Sequence, residues 1–504
     1  MDVAWTKERL FVLFSMTCAI SMVFLNTTLL PIALPTIERE LIVSPITLQW
    51  IINSYLLSTA VFVIAGGRLG DLFGHRRFFC IGMIVYACAS IGGGLAQSGL
   101  WLIMSRGIQG MGGAMMSPAA MSILIHVFPL KQRGKAIGIM VAIASLFLSI
   151  GPFIGGLFTE LLSWRWSFWC NLPIATLGIT MTMKSVPKSE KLDEKFDFIG
   201  FITTSIGLFC FTLALMQGKS WGWGSPIILT LFFFAVAFII AARFLDRFAK
   251  EPFFDFNLFK NPIFISGTTL IFCSQFILMI TVFWPIFFQK VLGYSPIDAG
   301  LYTAIATIPL MIVAPISGTI NDHFGPRLPI VIGFSLAIFC FVWFFFFSQS
   351  HDIHLLTPAL LAFGSGIAFV MTPASTTTLG SVPKSKTGVA TGMYNMIRFT
   401  GATIGVAILG ALQYNLQEDA FFKFLKTNRL TSKLDPSHYD GYLADLPAAV
   451  EAMDQLSPPI ASLVKSSLYK ATALAFSWTN LFAGVVALVA LLVGAFFFKS
   501  VARK

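Results

Sequence analysis

Fourteen long apolar runs constrain the fold of this chain more than any other feature of its sequence. Their approximate bounds are 10–34, 46–66, 78–97, 101–123, 136–159, 167–186, 198–216, 226–245, 262–288, 299–320, 328–347, 354–378, 388–412 and 477–498. A helix needs about 20 apolar residues to cross a bilayer. Charged residues make up 11% of the 504 residues, against about 25% in soluble domains. The sequence therefore predicts an all-α membrane protein with 14 transmembrane helices.

The positive charges predict how the chain is oriented in the membrane. The net charge is +11, a value that could also suggest nucleic-acid binding. Lysine and arginine accumulate in cytoplasmic loops of membrane proteins, and most of the 34 here fall in inner segments if both termini lie in the cytoplasm. We therefore expect a multi-pass protein of the cytoplasmic (inner) membrane, with both termini cytoplasmic and no nucleic-acid partner.

A short charged motif occurs twice, each time between two apolar runs. Its members are Gly67, Asp71, Gly74 and Arg76 in the first copy and Gly318, Asp322, Gly325 and Arg327 in the second. The copies lie 251 residues apart (67 to 318) and have the same internal spacing. Glycine lets the chain reverse direction, and an aspartate here can accept hydrogen bonds from the next helix or pair with an arginine. We expect two cytoplasmic gating turns in a duplicated chain, as in transporters built from parallel repeats.

The loop at residues 67–77 resembles the cytoplasmic loop motif of the major facilitator superfamily, and the 14 helices resemble its fourteen-helix drug:proton antiporter (multidrug exporter) family. The resemblance covers nearly the whole chain. It implies a six-helix bundle at 1–186, a two-helix linker at 187–261 that holds helices 7 and 8, and a second six-helix bundle at 262–504. The second bundle includes an extracytoplasmic loop, 413–476, in which we expect one or two amphipathic helices. A periplasmic partner at this loop is an open alternative.

Two further motifs resemble those of the family. A charge at the bilayer centre costs about 2.5–3.5 kcal/mol on insertion scales, so Arg106 in the fourth run must face the protein interior; its motif is linked in the family to proton coupling. Gly151, Pro152 and Gly155 in the fifth run resemble a motif found mainly in exporters, and we assign them to coupling or gating. Arg398 precedes two glycines, and we expect a structural or gating charge there.

Asn26 departs from the family pattern, which has an aspartate at this place. Asparagine exchanges no proton at physiological pH, and the 23 aspartates and glutamates all fall in loops, tails or helix ends. A relocated proton site at Glu160, Asp298 or Asp71 is one interpretation; loss of proton coupling is the other. Lipophilic dications are poor substrates for such a chain, and neutral or anionic amphiphiles fit better. Weak candidates for the substrate cavity are Asn26, Gln49, Trp50, Asn53, Tyr55, Gln275 and Trp284.

The leading interpretation is a secondary active exporter of small amphiphilic molecules, driven by proton antiport with alternating access. The alternative is a facilitator or importer of a small organic molecule on the same fold without proton coupling. A membrane receptor that senses a substrate stays open. No nucleophile–base set, paired catalytic carboxylates or metal-ligand spacing is visible, so we expect neither an enzyme nor a bound cofactor or metal.

Overall fold

The computed structural model describes residues 6–187, 197–218, 221–245, 253–348, 352–383, 386–428, 442–443, 453 and 456–498. Within these residues, 13 helices are long and apolar enough to cross a membrane, and the regular elements are all helical. This confirms the predicted all-α membrane protein of two six-helix bundles joined by two extra helices.

The helices follow the predicted apolar runs. Those of the first half are α1 (Lys7–Leu41), α2 (Pro45–Phe73), α3 (His75–Gly94), α4 (Gly99–Val127), α5 (Leu130–Leu161), α6 (Trp166–Trp169) and α7 (Asn171–Ser185), followed by the connecting helices α8 (Phe198–Gln217) and α9 (Pro226–Leu245). Those of the second half are α10 (Pro262–Leu278), α11 (Trp284–Lys290), α12 (Pro296–Phe324), α13 (Arg327–Phe347), α14 (Ile353–Gly380), α15 (Thr387–Thr427) and α16 (Pro458–Phe497). We call the side of the membrane at which α1 begins the near side and the opposite side the far side.

Serine caps start several of these helices on the far side. The hydroxyls of Ser44, Ser98 and Ser295 each accept a bond from the backbone N–H three residues on, at the first turns of α2, α4 and α12. A serine at this position satisfies one of the backbone donors that a helix start leaves open. Local sequence therefore places these helix starts.

The sixth and ninth predicted spans are broken. The sixth comprises the four-residue α6 and the 15-residue α7, so neither piece alone is long enough to cross. The ninth comprises α10, a 3-10 turn at Met279–Val282, and α11, which has Pro285 near its start. Proline removes a backbone donor and interrupts a helix, which explains the second break.

Beyond the membrane, α15 and α16 have 41 and 40 residues, about twice the length needed to cross. The ends near residues 413–428 and 458–476 pack together around Phe421, Leu425, Val464 and Ala471. Separate amphipathic helices were the expectation for 413–476; in the described part, the two membrane helices continue outward instead. Residues 429–441, 444–452 and 454–455 lie outside the described residues, and a partner for this segment stays a prediction.

The two halves repeat one packing geometry. Gly82 of α3 meets α4 near Met115, where an added Cβ would lie 2.9 Å from the Met115 side chain. Gly333 of α13 meets α14 near Gly366, where an added Cβ would lie 2.5 Å from the Gly366 carbonyl oxygen. The second contact lies 251 residues after the first at both positions (82 to 333 and 115 to 366), the same offset as between the two copies of the charged motif. The repeat seen in the sequence is thus also a repeat of helix contacts.

The halves meet along two helix pairs, α5 with α12 and α2 with α15. α8 lies against α2 and α15, while α9 packs mainly on α8. The segment before α10 includes a 3-10 turn, Phe256–Lys260, and contributes Phe253 and Leu258 to an apolar cluster shared by α2, α8 and α15. α8 and this segment therefore attach to both halves, and α9 is attached through α8.

Candidate functional site

Arg106 lies at the centre of a polar cluster inside the first half, with 1% of its surface exposed. Its Nε donates to the carbonyl oxygen of Ile51 at 3.2 Å, and its Nη1 donates to Gln109 Oε1 at 2.6 Å and to Asn26 Oδ1. The guanidinium also lies 4.2 Å from the ring centroid of Tyr55. α1, α2 and α4 therefore all contribute to holding this buried charge.

The cluster continues into α3 and α7 through neutral groups. Gln109 Nε2 donates to Ser90 Oγ at 2.9 Å, and Asn171 Nδ2 lies 3.4 Å from the same oxygen. Tyr86 donates to the carbonyl oxygen of Met22 at 3.3 Å. Sequence reasoning missed Gln109, Ser90 and Asn171, although Gln109 follows Arg106 by three residues and so lies on the same helix face.

Asn26 contacts Arg106 where an acidic side chain would supply a counter-charge, but its amide is neutral. Its side-chain oxygen accepts the hydrogen bond, so the geometry of an acid–arginine contact is present while the group has no exchangeable proton. Among the described residues, the buried carboxylates are Glu38 and Asp255, and neither forms part of this cluster. The arginine charge is therefore stabilised by amide and carbonyl dipoles and an aromatic face.

The glycine motif of α5 packs on two helices at once. An added Cβ at Gly151 would lie 2.2 Å from Thr28 Oγ1 of α1. One at Gly155 would lie 2.4 Å from the carbonyl oxygen of Leu29, also in α1. At Gly156 it would lie 2.3 Å from the carbonyl oxygen of Pro296. A Cβ added at Gly300 of α12 would likewise lie 2.3 Å from the carbonyl oxygen of Pro152. Small residues let helix backbones approach this closely.

The second half has an equivalent contact between its fifth and first helices. Added Cβ atoms at Gly401 and Gly405 would lie 2.5 and 2.7 Å from the carbonyl oxygens of Phe272 and Phe276. Arg398, one turn earlier, has its Cζ 5.5 Å from the centroid of Phe399, and its buried Nε has no hydrogen-bond partner. The buried hydroxyl of Tyr394 likewise has none. This arginine is thus less fully satisfied than Arg106.

The charged motifs prove to be mostly helical. α2 continues to Phe73 and α12 to Phe324, so Gly67, Asp71, Gly318 and Asp322 lie within helices, and the predicted turns shrink to Gly74 and to 325–326. Gly74 and Gly325 have φ of 90° and 80°, a left-handed region that favours glycine. Each donates its N–H at 2.9 Å to the carbonyl oxygen four residues earlier. Most of each charged motif therefore belongs to the membrane helices themselves, and the turn that connects them has only one or two residues.

Side chains around these turns differ between the copies. Arg76 Nη2 donates to the carbonyl oxygen of Met183 at 2.6 Å and so links α3 to the end of α7. Asp322 and Arg327 are exposed. The side chain of Asp71 lies outside the described residues, so its hydrogen bonding stays a prediction.

The far ends of the two halves are in contact. Ser149 and Thr307 exchange two hydrogen bonds of 2.9 Å between α5 and α12, each hydroxyl donating to the other's carbonyl oxygen. Glu160 accepts from the backbone N–H of Ile297 at 2.9 Å. Glu38 of α1 and Lys290 of α11 form an ion pair of 2.7 Å, and their side chains are 3% and 16% exposed. Glu38 was overlooked because its place in the last turn of α1 reads as a helix end.

A narrow cleft, partly open to solvent, lies beside this ion pair; we call it the far-side vestibule. Both halves line it, through Glu38 and Gln49 from the first and Lys290, Gln413 and Phe476 from the second. Thr472 and Leu443 add residues from the region around the extended ends of α15 and α16. The vestibule therefore lies between the halves, on the far side.

The seven predicted cavity residues do not come together. Asn26 and Tyr55 belong to the Arg106 cluster, and Gln49 lines the far-side vestibule. Asn53 Nδ2 donates to Met216 Sδ of α8 at 2.8 Å, and Trp284 packs between Phe344 and Phe363 at 5.4 and 4.9 Å. Gln275 is buried with its Nε2 unpartnered, and Trp50 is part-buried. The seven therefore do not line one cavity in this structure, and which of them contact substrate stays a prediction.

The comparisons with known proteins agree with this architecture. The family model of the Major Facilitator Superfamily matches residues 16–406. The tetracenomycin C resistance and export protein of Streptomyces glaucescens is 30% identical over 493 residues, covering 96% of this chain and 90% of that protein. The multidrug resistance protein Stp of Mycobacterium tuberculosis is 31% identical over 413 residues, covering 81% and 76%.

A similar fold occurs among solved structures. A bacterial homolog of the human lysosomal transporter Spinster, solved in an inward-facing and unoccupied conformation, superposes with a TM-score of 0.64 at 16% identity, covering 99% of this chain and all of that one. A D-xylose–proton symporter superposes with a TM-score of 0.59 at 14% identity, covering 81% and 90%. At these identities the likeness concerns the fold.

Proposed function

This chain belongs to the major facilitator superfamily, and we propose that it exports small amphiphilic molecules across the cytoplasmic membrane by alternating access, in exchange for protons. It is a multi-pass membrane transporter and not an enzyme. The near side, which holds most of the lysines and arginines outside the helices, is the cytoplasmic side in this proposal.

The contact of α5 with both α1 and α12 is the observation that carries the assignment of export. Gly151 and Gly155 bring α5 against α1, and Gly156 and Pro152 bring it against α12. The motif resembles one found mainly in exporters, and here its residues form the joint between the halves. The relatives with about 30% identity, whose names describe export and resistance, support the same direction.

The charges around Arg106 support the proposed substrate class. The cluster contains a fixed positive charge and, within the described residues, no carboxylate in contact with it. A lipophilic dication would find no buried acid in the middle of the membrane to pair with. Neutral or anionic amphiphiles are therefore the substrates that this arrangement favours.

The decisive experiment is transport by the purified protein in proteoliposomes under an imposed pH gradient. The panel contains tetracenomycin C, an anionic amphiphile and a lipophilic dication. An acidic lumen should drive uptake of the first two, protonophore should abolish that uptake, and the dication should not move. Empty liposomes correct for passive partition.

Facilitated transport without protons is the second candidate, because Asn26 supplies no exchangeable proton beside Arg106. Uptake that is indifferent to both the pH gradient and the protonophore would refute proton antiport and favour this alternative. If neither tetracenomycin C nor the anionic amphiphile is taken up, the proposed substrate class is refuted.

A further inference from the structure

We propose that Glu38 and Lys290 form a gate that holds the far side of the transporter closed. The inference rests on the proposed orientation, in which the far side faces outward. It assigns to these two residues a role in alternating access, which is to hold the halves together on the far side. They belong neither to the Arg106 cluster nor to the glycine contacts of α5.

The ion pair joins the two halves directly. Glu38 lies in the last turn of α1, three residues before its end, and Lys290 is the last residue of α11. Their 2.7 Å contact is nearly buried, since the side chains are 3% and 16% exposed. Charges removed from water in this way depend on the groups that compensate them, and loss of one ion-pair partner removes part of that compensation.

A hydrogen bond from the residue next to Lys290 also joins the halves, at a position earlier in α1. Gln289 Nε2, the neighbour of Lys290, donates to the carbonyl oxygen of Ile32 at 2.9 Å. Two consecutive residues of α11 therefore bind α1, one by charge and one by a hydrogen bond. Separation of the halves on the far side must break both contacts.

The location beside the far-side vestibule makes the pair a gate rather than a core contact. Both residues line that partly open cleft, while Ser149 and Thr307 join the halves deeper in the membrane. Ser149 lies 12 residues before the end of α5, which is about 18 Å along a helix. Material that moves from the deeper contact to the vestibule must pass between the two halves.

A matched control pair exists on the same surface. Glu40 of α1 and Arg165 form an ion pair of 2.9 Å, with exposures of 45% and 29% for their side chains. Both residues belong to the first half, so breaking this pair cannot separate the halves. It tests whether an ion pair near the end of α1 affects opening without crossing the interface.

Opening is measured by labelling Ser149→Cys with a membrane-impermeant maleimide, because Ser149 is 1% exposed at the joint. The label is added outside right-side-out and inside-out vesicles, and reaction is taken as the gain over a chain without the reporter. Glu38→Gln and Lys290→Met should each raise labelling from the far side about tenfold or more, since each removes the ion pair that joins the halves there. Glu40→Gln and Arg165→Met should leave it unchanged.

Charge restoration separates gating from general damage. Lys290→Arg, and the exchange of both charges in Glu38→Lys with Lys290→Glu, should return labelling to near the parental rate. The proposal is overturned if the single variants label like the parent, if the control variants label as fast as they do, or if folded exchanged protein stays fast. Labelling needs neither substrate nor a pH gradient, so these outcomes are independent of whether proton antiport is correct.

Discussion

At the residue scale, the most unusual feature is a buried arginine, Arg106, whose contacts among the described residues include no acid. Arg106 is held by three acceptors and one aromatic ring, all of them neutral. Amide and carbonyl oxygens stabilise the charge at fixed geometry, but none of them can take up a proton at physiological pH. Position 26 therefore decides whether this cluster can participate in proton exchange.

In the Asn26→Asp variant, a carboxylate oxygen is expected to accept the hydrogen bond from Arg106 Nη1 that the asparagine oxygen accepts now. Export should become more strongly dependent on the pH gradient, because an exchangeable group then lies beside the buried charge. Uptake into proteoliposomes, measured with the gradient set at several values, provides the readout. An unchanged dependence in folded protein would mean that position 26 lies off the proton path.

Arg106→Ala is expected to abolish export and to lower the free energy of unfolding by about 1–3 kcal/mol, since the surrounding buried acceptors lose their donor. Thermal unfolding in detergent and uptake assays measure the two effects. Lys423→Ala, at an exposed lysine of α15, is the comparison and should change neither. Retained export with retained pH dependence would reduce Arg106 to a structural residue.

At the element scale, each half is built on a glycine-mediated contact of its fifth helix with its first. Gly155 on Leu29 and Gly405 on Phe276 approach backbone carbonyl oxygens closely enough that a methyl group would collide. Backbone atoms cannot rotate away as a flexible side chain can, so the helices themselves would have to separate. These contacts therefore set how closely α1 packs on α5 and α10 on α15.

Gly155→Ala is expected to destabilise the protein by about 1–3 kcal/mol, the range for overpacking a close contact, and to reduce export. Gly138→Ala on the same helix is the matched control, because an added Cβ there meets nothing within 4 Å. Alanine favours a helix over glycine by about 1 kcal/mol, so this variant should be neutral or slightly stabilised. Equal effects of the two changes in thermal unfolding would contradict the packing argument.

At the scale of the whole molecule, contacts on both sides of the membrane join the halves. The far side has the ion pair and the α5–α12 contacts, and the near side has the segment before α10. There Lys386 Nζ donates to Asp255 Oδ2 at 2.6 Å, and Asn261 Nδ2 donates to the Ser381 carbonyl oxygen at 3.0 Å. These bonds tie the connection between the halves to the end of α14 and the start of α15.

Asp255 should stabilise the near side in a pH-dependent way. Burial by itself raises the pKa of Asp255, but hydrogen bonds from Lys386 and from the backbone N–H of Asn257 outweigh it, so its pKa lies below the ordinary value. The stabilisation is therefore complete above the unfolded pKa of about 3.9 and is lost as the pH falls through the lower folded pKa.

Asp255→Asn is expected to lower the free energy of unfolding near neutral pH by about 0.5–1 kcal/mol, a small value because Lys386 is 48% exposed. Thermal unfolding between acid and neutral pH should show the difference from the parent shrinking below the unfolded pKa. Adding Lys386→Met to this variant should cost little more, since the pair acts as a unit. A constant difference across this range would argue against the ion pair as its cause.

Local rules determined much of this protein from its sequence. The apolar runs predict the membrane helices because lipid requires each backbone group to be paired within its segment. The two charged motifs, 251 residues apart, indicate the duplication, and Gly74 and Gly325 end their helices as glycine's left-handed conformation allows. A buried charge in an apolar run likewise points to Arg106 without any knowledge of its neighbours.

Only the tertiary structure decided which distant residues meet. Asn26 and Gln109 contact Arg106, while Gln49 and Trp284 lie elsewhere, because helix rotation and crossing depend on packing across the whole bundle. Glu38 resembles an ordinary helix-end acid in the sequence, and it becomes a buried partner of Lys290 only when the second half closes over it. Burial and pairing are properties of two surfaces in contact, so one stretch of sequence cannot specify them.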